Sequence, residues 1–152
     1  MNLNLEHDYT VKPITAEDTY SIRHKILRKG KTIESCHFNG DYDKDTLHFG
    51  LFNNSELIGV VSFMKRKHKL FSEDNQYQLR GMAVLETFQG KGLGNYFLNE
   101  SEGIVSKNCD RIWCNARIKA CNLYKKNDYL ILGDSFNIEG IGLHFLMSKK
   151  VP

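Results

Sequence analysis

The chain has 152 residues, of which 41% are hydrophobic and 26% charged, and its net charge is +3. That length and balance fit one globular domain with one core, so residues 1–152 are read as a single domain. No apolar run approaches the roughly 20 residues of a membrane-spanning helix. The opening Met1–Asp8 has neither the basic nor the apolar region of a secretory leader, so a cytoplasmic protein without a membrane partner is expected.

In chain order, Val11-Lys12-Pro13-Ile14 reads as the end of a first strand. Thr15 then stands as an N-cap, with Glu17 and Asp18 placed to help satisfy the first-turn amides. The helix it opens carries Tyr20, Ile26 and Leu27 and stops near Lys29-Gly30, where glycine tolerates the terminating conformation. Residues 30–45 are polar and read as a loop. Within them, Asp41-Tyr42-Asp43-Lys44-Asp45 has the opening of a calcium loop but lacks its glycine (Thr46) and its twelfth-position glutamate (Phe52), so calcium is not expected.

Strands follow over Thr46–Phe52 and Leu57–Met64, joined by the turn Asn53-Asn54-Ser55-Glu56. The basic run Lys65-Arg66-Lys67-His68-Lys69 is too short for a nucleic-acid stripe and reads as a solvated loop, so no nucleic-acid partner is expected. Tyr77–Val84 is strand-like. A glycine-rich turn then leads into a helix running to about Lys107. Arg111–Asn115 is another strand, Ala120–Lys126 a short helix, and Leu130–Phe136 and Leu143–Lys149 close the chain as strands. The order β-α-β-β-β-α-β-α-β-β indicates an α/β (α+β) mixed sheet with helices packed on it. The four cysteines, Cys36, Cys109, Cys114 and Cys121, contain no C-x-x-C pair. Cys114 and Cys121 are read as small packing residues, and no metal is implied.

Gly90, Gly92 and Gly94 fall between an apolar strand and the start of a helix. There the first helical amides have no intrahelical partners and the helix dipole favours negative charge, while glycines let a bulky anion approach the backbone. The result is a phosphate cradle to which Lys91 adds charge. A dinucleotide fingerprint fails because Asn95 stands where its last glycine belongs. A Walker loop fails because Gly92 follows Gly90-Lys91 and no glycine stands at position 85. The competing structural reading is a turn whose glycines permit tight helix–sheet packing.

Gln89-Gly90-Lys91-Gly92-Leu93-Gly94 resembles the Q/R-x-x-G-x-G/A motif with which the GNAT superfamily holds the pyrophosphate of acetyl-CoA. Leu79–Val84 resembles the family's strand before that loop, and Asn115–Tyr124 its N-A-R-x-x-A-x-x-F/L-Y segment. The resemblance implies a single-domain N-acetyltransferase with a central, mostly antiparallel twisted sheet flanked by helices. Acetyl-CoA would be the co-substrate, bound by Met82, Ala83, Val84, Gln89, Gly90, Lys91, Gly92, Leu93, Gly94, Asn95, Asn115 and Tyr124. A bulge would splay the strand at Met82–Val84 from Arg111–Cys114, and a backbone N–H of that stretch would face the developing oxyanion. Tyr124 matches the family's general acid. An amine would attack the acetyl carbonyl directly, in a ternary complex. A non-catalytic acyl-CoA-binding module and a different acyl donor are the alternatives. A homodimer is expected from the resemblance only.

The chain departs from the family in two places. Gln78 stands where many members carry the glutamate base, which leaves His144 as the candidate base, with His48 and Glu34 behind it. Asp128 replaces a glycine, at a point where Asn127 or Asp128 could still adopt the left-handed conformation, which both types tolerate better than most. The acceptor is an amine of unnamed identity. One reading has Asp41, Asp43 and Asp45 bordering its cleft and attracting a cationic amine.

Overall fold

The structure, a computed structural model, describes residues 7–152. Most of the N-terminal stretch read for a leader, Met1–Glu6, therefore lies outside the described residues. Eight strands form one sheet: β1 Tyr9–Pro13, β2 Leu47–Asn53, β3 Glu56–Lys65, β4 Gln76–Val84, β5 Arg111–Arg117, β6 Leu130–Ile131, β7 Phe136–Ile138 and β8 Gly142–Lys150. They lie in the order β1-β2-β3-β4-β5-β8-β6, with β7 also on β8. Every pairing is antiparallel except β4 with β5.

Helices α1 (Ala16–Ile22), α2 (Leu93–Val105) and α3 (Cys121–Lys126) flank the sheet. Phe97 and Leu98 of α2 and Tyr124 of α3 join Phe49, Val61, Phe63, Leu79 and Ile112 of the strands in the main core. Ile22 of α1 packs with Val60 and Ala83 in a smaller cluster. Neighbours Val60 and Val61 thus serve different clusters, as the two-residue period of a strand dictates. Among the described residues no helix is long and apolar enough to cross a membrane.

The N-terminus of α1 follows the sequence expectation closely. Thr15 Oγ1 accepts from the Asp18 amide at 3.2 Å, and Asp18 Oδ2 accepts from the Thr15 amide at 3.0 Å. Its end does not. α-Helical bonding stops at Ile22 and continues as one π turn, Arg23–Leu27, closed by the Arg28 amide on the Arg23 carbonyl at 2.9 Å. Arg23, which opens that turn, shares a helical face with buried Ala16 and Thr19 and is itself fully buried. There its guanidinium donates to both Asp41 carboxylate oxygens, at 2.8 and 3.0 Å, to the Cys36 carbonyl at 2.8 Å and to Ser62 Oγ at 2.9 Å.

The loop over 30–45 is consequently not simply solvated: Cys36, Phe38 and Asp41 are buried in it. His48 joins the same network. Its Nε2–H donates to the Asp41 carbonyl at 2.8 Å, and its Nδ1 accepts from the Ser62 hydroxyl at 2.6 Å. The expected strand over 130–136 also fails as one unit. It breaks at Gly133, where φ is 81°, into the two-residue β6 and the three-residue β7. Asp128 does adopt the left-handed conformation, at φ 71°.

Asp41 neutralises a fully buried cation, and removing one partner of such a pair is costly. Asp41→Ala is expected to lower the unfolding free energy by about 3–5 kcal/mol, whereas Asp43→Asn and Asp45→Asn should each change it by less than about 0.5 kcal/mol. Urea unfolding of the three variants checks this.

Candidate active site

The site begins with a defect in the ladder between β3 and β4. Val60 pairs with Ala83 and Ser62 with Arg80, so two residues of β4, Gly81 and Met82, oppose Val61 alone. Gly81 takes φ 64°, and a Cβ there would stand 2.9 Å from the Phe38 ring and 3.3 Å from Arg23 Nε. Only glycine satisfies both the backbone angle and the close approach. On its other side β4 pairs with β5 only at Gln76/Arg111, Tyr77/Ile112 and Gln78/Trp113, and the two strands then part. The β5-facing edge of Met82, Ala83 and Val84 is left without a strand partner.

The parting opens a cleft of about 220 Å³ lined by β4 from Gln78 to Met82, by β5 from Cys114 to Arg117, and by Tyr124 and His144. Four sequence-derived site residues thus meet in one cavity: Met82, Asn115, Tyr124 and His144. Ala83, Val84 and the turn over 89–95 lie outside its lining, on the continuation of β4 into α2.

Tyr124 is buried on α3, its ring 5.2 Å from that of Tyr129. Burial pushes its phenol well above the ordinary value of 10, and Cys114, Cys121 and Glu102 add to the shift, so the hydroxyl keeps its proton at neutral pH. His144 is buried on β8. Its Nδ1 lies 2.7 Å from the Gly142 carbonyl, which can only accept, so Nδ1 carries the hydrogen and Nε2 offers the lone pair in the neutral ring. Gln78 is buried in the cleft wall, and Asn115 is exposed opposite it. The other two base candidates stand elsewhere. Both ring nitrogens of His48 are committed to the Arg23 network, and Glu34 is exposed on a short 3₁₀ turn that does not line the cleft.

β4 leads into the glycine turn. Gln89 Nε2 donates back to the Val84 carbonyl at 2.7 Å, tying the turn to the strand end. Gly90 and Gly92 sit at φ 76° and 79°, and Gly92 caps α2 without any side-chain bond, so the amides of Leu93, Gly94 and Asn95 begin the helix unsatisfied. Lys91 is exposed with its ammonium 5.5 Å from the Phe88 ring centre. Asn95 Oδ1 accepts from Asn127 Nδ2 at 2.8 Å, joining α2 to the end of α3.

The tight-packing reading of the glycines does not hold. Cβ atoms at Gly90 and Gly92 would meet nothing within 4 Å, and one at Gly94 would only touch Leu123 at 3.8 Å. Positive φ accounts for the first two glycines. Neither angle nor packing accounts for Gly94, whose missing side chain leaves the helix start open. That is the space a bulky anion on these amides would need, so the residues present fit a diphosphate.

Sequence reasoning missed the far wall of the cleft, formed by Arg28, Phe38, Arg80 and Arg117 with Ile138 and Ile141. These come from five separate segments, and no local pattern announces their meeting. Gly81, a lone glycine inside a strand, was the one residue of the bulge visible by its type alone. The acidic loop is not part of this wall. Asp41 is buried against Arg23, and neither Asp43 nor Asp45 lines the cleft, which overturns the expectation that the loop attracts a cationic amine there.

The model of the acetyltransferase (GNAT) family matches residues 11–129. The chain is 38% identical over 142 residues to YitI, an uncharacterized N-acetyltransferase of Bacillus subtilis (strain 168), a match covering 93% of this chain and 95% of that one. Two solved structures share the fold at lower identity. Arabidopsis thaliana NAA60 in complex with acetyl-CoA matches with a TM-score of 0.72 and 18% identity, over 95% of this chain and 99% of its own. The ribosomal-protein-S18-alanine N-acetyltransferase from Escherichia coli matches with 0.74 and 17%, over 95% and 94%.

Because its raised pKa keeps Tyr124 protonated past the ordinary phenol range, Tyr124→Phe should leave the tyrosinate absorbance titration unchanged through about pH 10. Loss of an ionisation step in that range would show that the cleft hydroxyl is solvated instead.

Proposed function

The chain belongs to the acetyltransferase (GNAT) family and is an acyltransferase, and from that premise we propose that it moves the acetyl group of acetyl-CoA to a primary amine by direct attack in a ternary complex. The observation that carries this reading is Gly94, a glycine required by neither backbone angle nor packing, at the open start of α2. The unsatisfied amides of α2, with Lys91 beside them, hold the pyrophosphate. The unpaired edge of β4 at Met82–Val84 takes the extended pantetheine as a strand would be taken, with Asn115 across the gap. The thioester supplies an activated acyl carbon.

The chain's own groups then manage charge and protons. A backbone N–H of Met82–Val84 faces the carbonyl oxygen as it gains charge. Tyr124 delivers its hydroxyl proton to the leaving sulfur, and His144 Nε2 removes the proton that the attacking nitrogen must lose. Gln78 cannot accept a proton usefully, and among the described residues no carboxylate lines the cleft, so the base role falls to His144 Nε2 and not to the permanently protonated arginines there.

Calorimetric titration of acetyl-CoA should show binding by the wild-type protein and loss of at least about tenfold in affinity for Gly94→Val, since the new side chain fills the open space without crowding the fold. No binding by a folded wild-type protein would sink the assignment. In amine screens read by thiol release, Tyr124→Phe should lower kcat by roughly 10²–10⁴-fold with acetyl-CoA affinity preserved. His144→Gln should lower kcat by roughly 10²-fold or more, again with acetyl-CoA affinity preserved.

A further inference from the structure

Three guanidinium groups gather around one aromatic ring. Arg23, Arg80 and Arg28 stand 3.9, 4.5 and 5.1 Å from the centre of the Phe38 ring. Arg23 is fully buried and engages the neighbouring carboxylate of Asp41 through both of its oxygens. Arg28 and Arg80 are half-buried and face the cleft, as does Arg117, whose Nη2 donates to the Leu27 carbonyl at 3.1 Å. The carboxylates of Glu73, Asp74 and Glu102 are paired with other cations, and among the described residues no aspartate or glutamate lines the cleft.

The Arg80 side chain makes no hydrogen bond or ion pair to any described residue. Its guanidinium lies over the Phe38 ring while its N–H donors remain unused. Such an arrangement is unfavourable on its own. Burial and the neighbouring arginines 66, 23 and 28 depress the Arg80 guanidinium, and burial with Arg117 depresses that of Arg28. An anion entering the cleft would relieve both effects, and a guanidinium fork matches carboxylate and phosphate oxygens two at a time.

We propose that this end of the cleft is an anion site, and that the acceptor is a small amine bearing a carboxylate or phosphate group held between Arg28, Arg80 and Arg117. The cavity volume of about 220 Å³ falls below that of pockets for drug-sized ligands and suits a molecule of amino-acid size. The apolar side chains of Leu27, Ile138 and Ile141 leave room beside the arginines for a short aliphatic segment. The anion's place in catalysis rests on the acyl-transfer reading above; the anion site itself does not.

The test compares matched pairs of amines at constant ionic strength: amino acids against their amides, and phosphoethanolamine against ethanolamine. The two sets separate carboxylate from phosphate. The anionic member of at least one set should have kcat/KM higher by about tenfold or more. That preference should collapse in Arg80→Met and partly return in Arg80→Lys, with acetyl-CoA affinity as the control for folding. Equal or better use of the neutral members would overturn the proposal. So would a preference for succinyl-CoA over acetyl-CoA that disappears in Arg80→Met, since the arginines would then read the acyl donor.

A second measurement needs no turnover. Acetate and inorganic phosphate are titrated into the protein while the arginine Nε–H resonances are followed. Saturable shifts that vanish in Arg80→Met support the site, and indifference to that substitution overturns it. Anion binding without any acetyl transfer would reject the enzymatic reading and leave the anion site standing. Transfer without charge preference would do the reverse.

Discussion

The site depends on one extra residue in β4. At Gly81 the strand gains a residue against β3, keeps its bonds to β3 through Val84, and loses β5 beyond Gln78. A continuous ladder would have closed the sheet and left no cavity. Breaking it exposes backbone groups that must find water or a ligand, since buried unpaired amides are costly. An extended molecule lying along Met82–Val84 can meet that need. Catalytic opportunity and ligand recognition therefore arise from the same local defect.

What holds the defect open is a polar interior, not an apolar one. Arg23, buried at the start of the π turn, ties the segment after α1 to Cys36, Asp41 and Ser62 at once. This brings the Phe38 ring down onto Gly81. Four charge-assisted bonds compensate the desolvation of the guanidinium, which replacement by an apolar residue would avoid altogether. Their value here is positional. They fix the wall of the cleft from which Arg28 and Arg80 project.

The parts of this molecule that are contiguous in sequence were readable there. The Thr15/Asp18 capping box, the glycine turn and the left-handed residue after α3 each depend on backbone geometry within a few positions. The family resemblance supplied the cleft and the place of Tyr124, which the structure puts in its wall. The π turn was not readable, because the pull on Arg23 comes from Asp41, eighteen positions away. Nor was the loss of a continuous strand over 130–136, where local propensity yields to Gly133. The arginine wall joins positions 28, 80 and 117, which only the folded chain brings together, and His48, a weaker base candidate than His144 by its sequence, has both nitrogens engaged.

The π turn has a further consequence for how such a protein can change. A helix advances about 100° per residue, so winding that segment as ordinary α-helix would swing Arg28 around to another face. Deleting a single residue between Ile22 and Arg28 would therefore re-aim the chain that walls the cleft, while α2, the glycine turn and the β1–β4 ladder stayed as they are. Acceptor preference in this architecture can be altered by a change in length as readily as by a change in side chain. Insertions and deletions after α1 are then the variation to compare among relatives that share the same cradle.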